Sequence, residues 1–149
     1  RPLGLRLGMK VLEFAFDSRD SGCANDYLPH NYPENSVAYT GTHDNETLAG
    51  WWKSITPAEQ KMARDYLCDQ YTPASKLGKS FISLILRSRA ALCVIPVQDY
   101  MGLDNRSRIN KPSTVGTNWR WRLGKNDLTE DLKDEIRGMT LRYGRMNWG

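Results

Sequence analysis

The 149-residue sequence has few cysteines and no long apolar run. Its three cysteines, Cys23, Cys68 and Cys93, include no pair at Cys-x-x-Cys spacing, which argues against a zinc site. The odd number favours a reducing compartment, so we expect a cytoplasmic protein. No apolar stretch reaches the roughly 18 residues that a membrane span needs, so we expect no membrane partner. With only His30 and His43 present, a metal site built on several histidines is not expected either.

The sequence also lacks a strong excess of charge of one sign. Lysine and arginine number 21 against 17 acidic residues, which gives a net charge of +4. No run of five basic residues occurs, and the basic groups are scattered through short stretches such as NRSR (105–108) and WRWR (119–122). A nucleic-acid partner is therefore not expected, although salt-dependent retention on a polyanion would favour one.

Aromatic residues are abundant, with five tryptophans and seven tyrosines. Aromatic rings beside polar groups suit flat, partly polar ligands such as sugars, but the same rings also serve core packing. The tryptophans that could act as stacking surfaces are Trp51, Trp52, Trp119 and Trp121. Composition alone leaves both interpretations open.

Strand-like and helix-like segments alternate along the chain. Apolar, β-branched runs predict strands at 11–16, 36–41 and 91–97, the last buried on both faces. Apolar periodicity and capping residues predict helices at 46–55, 56–68, 79–90 and 129–146. Residues 1–10 form a connection, and 17–36 and 98–124 form long loops. This alternation indicates an α/β fold with a parallel sheet, in which residues 1–149 form a single segment.

Polar side chains follow each of the three predicted strands. Asp17 follows the first, His43, Asp44 and Asn45 follow the second, and Gln98 and Asp99 follow the third. In parallel α/β folds, functional groups lie at the carboxyl ends of the strands. A strand that reaches solvent also ends in polar residues, so position alone does not establish a site.

The stretch THDN, residues 42–45, carries more information. Asp44 could simply cap the helix that follows. Alternatively, the neighbouring carboxylate and imidazole of Asp44 and His43 could bind vicinal hydroxyls of one glucose ring. A fixed carboxylate would strengthen these bonds as positive charge develops on the ring in an oxocarbenium-like transition state.

Four ordered stretches resemble a known family. YTGTHDNETLAGWW (39–52) resembles the segment around the third catalytic carboxylate of 4-α-glucanotransferases of the amylomaltase, or disproportionating-enzyme, type. GMKVLEFAF (8–16) is similar to that family's sixth-strand segment, and VQDYMGLDNRSRINKPSTVGTNWRWRL (97–123) to the segment after its eighth strand. The closing amphipathic helix also matches, so the resemblance spans nearly the whole chain.

The resemblance implies the C-terminal part, about strands 6–8, of a (β/α)₈ barrel that transfers α-1,4-glucan segments between maltooligosaccharides through a covalent glycosyl intermediate. It implies that Asp44 is the transition-state stabiliser. The substrate-binding residues it implies are His43, Asn45 and Asn118, with Gln98 and Asp99 as weaker candidates. It implies no cofactor, because the chemistry is nucleophilic and acid/base.

Two catalytic carboxylates of that family have no counterpart here. The family's nucleophile lies in an Arg-x-Asp-His context and its acid/base in a Glu-Asp-Leu-Gly context, and neither context occurs in the sequence. Glu13, Glu34 and Glu46 could replace them by residue type only, and Glu13 falls inside a predicted strand. Because retention of configuration needs two carboxylates about 5–5.5 Å apart, we expect the chain alone to be inactive.

Two further expectations follow. Three strands cannot close an eight-stranded barrel, so we expect open-sheet packing or self-association through the unpaired strand edge. The alternative to an enzyme part is a non-catalytic carbohydrate-binding or scaffold protein derived from the same barrel. Absence of the two carboxylate contexts supports this alternative, and the intact THDN argues against it.

Overall fold

A three-stranded parallel sheet forms the centre of the fold. The computed structural model describes residues 8–19 and 25–146. The strands are β1 (Gly8–Val11), β2 (Ser36–Tyr39) and β3 (Leu92–Val94), and they lie side by side in that order. Both pairings are parallel, with Gly8 opposite Ser36 and Val37 opposite Leu92. The predicted α/β class with a parallel sheet is confirmed. The chain over residues 1–7 and Cys23 lie outside the described residues.

In the part of the chain that the structure describes, five α-helices accompany the sheet: α1 (Leu48–Ser54), α2 (Pro57–Leu67), α3 (Ala74–Leu86), α4 (Val97–Tyr100) and α5 (Glu130–Arg142). Helices α1, α2 and α5 form where the sequence predicts them. Thr56 accepts a hydrogen bond from the Glu59 N–H, and the Glu59 side chain accepts one from the Thr56 N–H. This reciprocal capping box fixes the start of α2. No helix among the described residues is long and apolar enough to cross a membrane.

The first strand differs from its prediction over 11–16. Sheet pairing ends at Val11, and the chain then turns into a 3₁₀ helix over Leu12–Phe14. Leu12, Ala15 and Phe16 are all buried, so the apolar run serves a turn packed on the core rather than a strand. Glu13 therefore lies beyond the end of β1, where its N–H donates to the Thr40 carbonyl.

The third strand is shorter and more open than predicted. Pairing covers only Leu92–Val94, and the side chains of Leu92 and Val94 are 52% and 41% exposed. The prediction of burial on both faces is wrong for the described chain, because one face of the sheet has no covering layer there. The predicted loop 98–124 is also interrupted, by α4 and by a 3₁₀ turn over Asn105–Ser107.

Helix α3 begins at Ala74, five residues before its predicted start, and ends at Leu86. Pro73 precedes its first turn, and Leu77 extends the buried face of Phe81 and Ile85 toward that end. After the helix, the guanidinium of Arg145 donates to the carbonyls of Leu86, Ser88 and Ala90. This arginine ties the segment after α5 to the end of α3.

The core lies between the sheet and helices α1 and α3. Trp51 and Trp52 pack on Phe81, with ring centroids 5.5 and 5.9 Å apart. Both indoles are buried, so two of the four tryptophans considered as sugar platforms belong to the core. Aromatic side chains of this size are the largest contributors to a core of this kind.

Candidate active site

The loop from Gly41 to Thr47, which we call the 41–47 loop, leaves β2 and enters α1. Its turn is closed by Asn45, whose side-chain oxygen accepts hydrogen bonds from the N–H and the hydroxyl of Thr42, each at 2.8 Å. Thr47 is the N-cap of α1 and accepts from the Gly50 N–H. Asp44 therefore does not cap this helix, and the capping interpretation is wrong.

Asp99 binds both ends of this loop. One carboxylate oxygen accepts from the Thr40 hydroxyl at 2.6 Å, and the other accepts from the Leu48 N–H at 2.8 Å. The residue is 3% exposed, and burial raises the pKa of its carboxyl although the two hydrogen bonds lower it. Asp99 thus holds the end of β2 and the start of α1 at a fixed separation, with its oxygens turned away from solvent.

The segment after α4 holds Asp44 from outside. The Asn110 side-chain amide donates to Asp44 Oδ1 at 2.7 Å, and the Asn110 N–H donates to the His43 carbonyl at 3.1 Å. The guanidinium of Arg108 donates to the Asp44 carbonyl at 2.7 Å. Side chain and backbone of Asp44 are therefore both fixed by residues more than 60 positions along the chain.

His43 and Asp44 present an accessible polar surface beside an aromatic ring. His43 Nε2 lies 3.3 Å from Asp44 Oδ2, and the two side chains are 55% and 46% exposed. The indole of Trp119 lies 5.2 Å from the imidazole, centroid to centroid. Trp119 has a φ of 63°, in the left-handed region that costs energy for a bulky residue, and its N–H donates to the Ile109 carbonyl.

The structure does not bring every predicted site residue to this surface. Asn118 closes its own loop, accepting from the Lys111 N–H at 2.9 Å and donating to the Thr114 carbonyl at 3.0 Å. The Asn45 oxygen is occupied within its turn, and Gln98 is buried and donates to the Ser107 carbonyl. Asp17 pairs with Arg19. Sugar contacts by Asn45 and Asn118 stay predictions.

The sequence did not single out Arg108 or Asn110, and it offered Glu13 as a candidate carboxylate by residue type only. Arg108 and Asn110 lie within NRSRIN, a stretch without periodicity. The one signal that could have found them is that this stretch belongs to the segment 97–123, which resembles the family. Glu13 was expected inside a strand. Burial is the main cause that raises the pKa of its carboxyl well above 4.5, and Asp99 and Glu46 add to this while Arg108 opposes it.

No group of three histidine, cysteine, aspartate or glutamate side chains in residues 8–19 and 25–146 is arranged to hold a metal ion. The chemistry available at this surface is that of an oriented carboxylate, an imidazole and an exposed indole. Groups of these types can form hydrogen bonds with a polar ligand and stack on a flat ring.

Comparison with known proteins decides the family. The family model described as 4-alpha-glucanotransferase matches residues 5–128. This chain belongs to the 4-α-glucanotransferase family. It is 42% identical over 139 residues to a 4-alpha-glucanotransferase of Clostridium butyricum and 40% identical over 137 residues to that of Thermus thermophilus. These alignments cover 93% and 89% of this chain.

A solved structure of the same family has the same fold. The amylomaltase from Streptococcus agalactiae in complex with acarbose matches with a TM-score of 0.87 and 34% identity, over 96% of this chain and 28% of that protein. The Clostridium and Thermus relatives are covered over 28% and 27% of their lengths. The chain therefore spans about a quarter of the length of the family members it matches.

We expect Asp99→Ala to lower the free energy of unfolding by about 2–4 kcal/mol, because two buried donors, the Thr40 hydroxyl and the Leu48 N–H, lose their acceptor. Urea unfolding followed by tryptophan fluorescence measures this. The matched control is Asp65→Ala, which removes an exposed carboxylate paired with Lys61 and should change little. Equal effects from both variants would show that Asp99 does not hold the loop.

We expect Glu13→Gln to stabilise the chain at pH 8 relative to wild type, and to make little difference near pH 4. Because the pKa of Glu13 is raised on folding, its protonation contributes stability that is fully present below about 4.5 and is lost as the pH rises through the folded-state pKa. Glutamine is neutral throughout. Unfolding curves at both pH values test this, with the exposed Glu34→Gln as control. A wild-type advantage at pH 8 would contradict it.

Proposed function

We propose that this chain supplies the transition-state-stabilising carboxylate, Asp44, of a 4-α-glucanotransferase that transfers α-1,4-glucan segments between maltooligosaccharides with retention of configuration. The observation that carries the proposal is the fixed, accessible carboxylate of Asp44, held by Asn110 beside His43 and Trp119 at the carboxyl end of β2. Family membership supports the same assignment.

The geometry supports this chemistry in a specific way. Asn110 occupies one oxygen of Asp44, which fixes the orientation of the carboxylate and leaves Oδ2 for the hydroxyls of a sugar. As the glycosidic bond breaks, positive charge grows on the ring, and a preorganised carboxylate stabilises it without having to reorient. His43 donates or accepts beside it, and the exposed indole of Trp119 offers an apolar face to the sugar.

The nucleophile and the acid/base are assigned to a part of the enzyme outside this chain. The other described carboxylates in or against the loop are already engaged or buried: Glu46 accepts from Ser54 and Asn105, Asp99 accepts from Thr40 and Leu48, and Glu13 is buried against Gly41. None is presented to a ligand in the way Asp44 is. Reaction at this site therefore requires two carboxylates from elsewhere.

We infer that β1, β2 and β3 are about strands 6–8 of a (β/α)₈ barrel. In the described chain β1 and β3 are each paired along one side only, and Leu92 and Val94 expose apolar surface. Further strands on both sides would complete these edges and form a closed sheet. The chain spans about a quarter of the relatives' length, so most of their fold lies in segments that this chain does not match.

We expect the chain to bind acarbose, the ligand in the related Streptococcus agalactiae structure, and to do so through Asp44. Tryptophan fluorescence reports binding, because Trp119 lies against His43. Asp44→Ala should weaken binding by about tenfold, since a charged hydrogen-bond acceptor is lost. Asp17→Ala, which removes a carboxylate paired with Arg19, should leave it unchanged. Equal affinities for wild type and Asp44→Ala would contradict the proposed role.

We expect the 149-residue chain alone to transfer no glucan, because Asp44 cannot act as nucleophile and acid/base at once. Incubation with maltotriose, followed by chromatography for glucose and longer oligosaccharides, measures this. The Asp44→Asn chain sets the background from contaminating enzymes. Product from wild type above that background would show that the chain contains a complete catalytic set.

A further inference from the structure

A buried carboxyl group lies beneath the 41–47 loop. Oε2 of Glu13 is inaccessible to solvent and has no hydrogen-bond partner among residues 8–19 and 25–146, a condition it shares there only with the Tyr32 hydroxyl. Burying an unpartnered polar group costs free energy. An apolar side chain of similar size would fill this space at lower cost, so the carboxyl group calls for a functional explanation.

Glu13 is in direct contact with the first residue of the loop. A Cβ atom on Gly41 would lie 2.5 Å from Glu13 Oε2, which means that the Gly41 backbone rests on the carboxyl group. The Glu13 N–H also donates to the Thr40 carbonyl at 3.3 Å. Glu13 therefore supports the chain at the point where β2 ends and the loop that carries Asp44 begins.

Glu13 is also linked electrostatically to the outer support of Asp44. The charged groups that act on it are the carboxyls of Asp99, in α4, and Glu46, before α1, together with the guanidinium of Arg108. Arg108 donates to the Asp44 carbonyl at 2.7 Å. The guanidinium that donates to the Asp44 backbone thus also lies within electrostatic range of Glu13.

We propose that Glu13 is a positioning residue for the reaction at Asp44: its carboxyl group supports Gly41, the first residue of the loop, and this contact helps to fix the Asp44 carboxylate relative to the sugar. This inference rests on the proposed function of Asp44. Burial, aided by the carboxyls of Asp99 and Glu46, favours the protonated form of Glu13, so glutamine, which has the same shape and is neutral, should serve equally well.

Substitutions of Glu13 that keep or shorten its side chain test this inference without a ligand. The reporter is the NMR signal of the Asn110 side-chain amide, which donates to Asp44 Oδ1. Glu13→Gln should leave this signal in place. Glu13→Asp, which keeps the carboxyl but withdraws it from Gly41, and Glu13→Ala should both move it. A wild-type signal in Glu13→Asp, or a displaced signal in Glu13→Gln, would overturn the proposal.

A double-mutant cycle tests the contact with Gly41. Gly41→Ala should displace the Asn110 signal in wild type, because the new Cβ would overlap Glu13 Oε2. In the Glu13→Ala background the same substitution should displace the signal less, since the Glu13 carboxyl is gone and only the Glu46 carbonyl, 3.3 Å from the new Cβ, remains close. Equal displacements in both backgrounds would overturn the proposal.

Acarbose affinity separates this inference from the proposed function. Glu13→Ala and Glu13→Asp should weaken binding by about tenfold, and Glu13→Gln by less than about twofold. If Asp44→Ala binds as well as wild type, the proposed function fails, while the amide signals still decide whether Glu13 positions the loop. If Asp44→Ala weakens binding and Glu13→Ala does not, the positioning role alone is wrong.

Discussion

The two hydrogen bonds that the Asp99 carboxylate accepts at the ends of the 41–47 loop are the constraint on which the site depends. A seven-residue polar loop has little apolar surface to hold its shape, and the cost of ordering it must be offset by specific hydrogen bonds. Asp99 provides two from a buried position, to the end of β2 and to the start of α1. With both ends fixed, the turn closed by Asn45 can present His43 and Asp44 outward in one arrangement.

A second set of contacts orients the Asp44 carboxylate on this fixed loop. Arg108 and Asn110 approach from the far side and hold the backbone and side chain of Asp44. The result is a carboxylate that is about half exposed and held in one orientation, while burial raises the pKa of the neighbouring Glu13 and Asp99 carboxyls.

Helices and strands whose ends are set by neighbouring residues in the sequence could be predicted from it. Helix α2 follows from Thr56, Pro57 and Glu59, and β2 follows from an apolar run before Gly41. The strands predicted from the apolar runs at 11–16 and 91–97 were too long. Packing on the core and pairing with neighbouring strands determine where these strands end.

The same division applies to the site. His43 and Asp44 are adjacent in sequence and could be predicted together. Their supports could not, because Arg108 and Asn110 lie 64 and 66 residues from Asp44, and Glu13 reaches the loop only through the pairing of β1 with β2. No pattern within a short window encodes contacts of that range.

The most direct test of the proposed role of Asp44 is to place these residues within a full-length relative. Residues 8–146 would replace the matching segment of the Streptococcus agalactiae amylomaltase, which shares their fold with a TM-score of 0.87. Disproportionation of maltotriose would be measured for this chimera and for the chimera with Asp44→Asn. We predict an active chimera whose activity falls by at least about a hundredfold on substitution, as expected when a transition-state contact is removed. An Asp44→Asn chimera as active as its parent would contradict the assignment of Asp44.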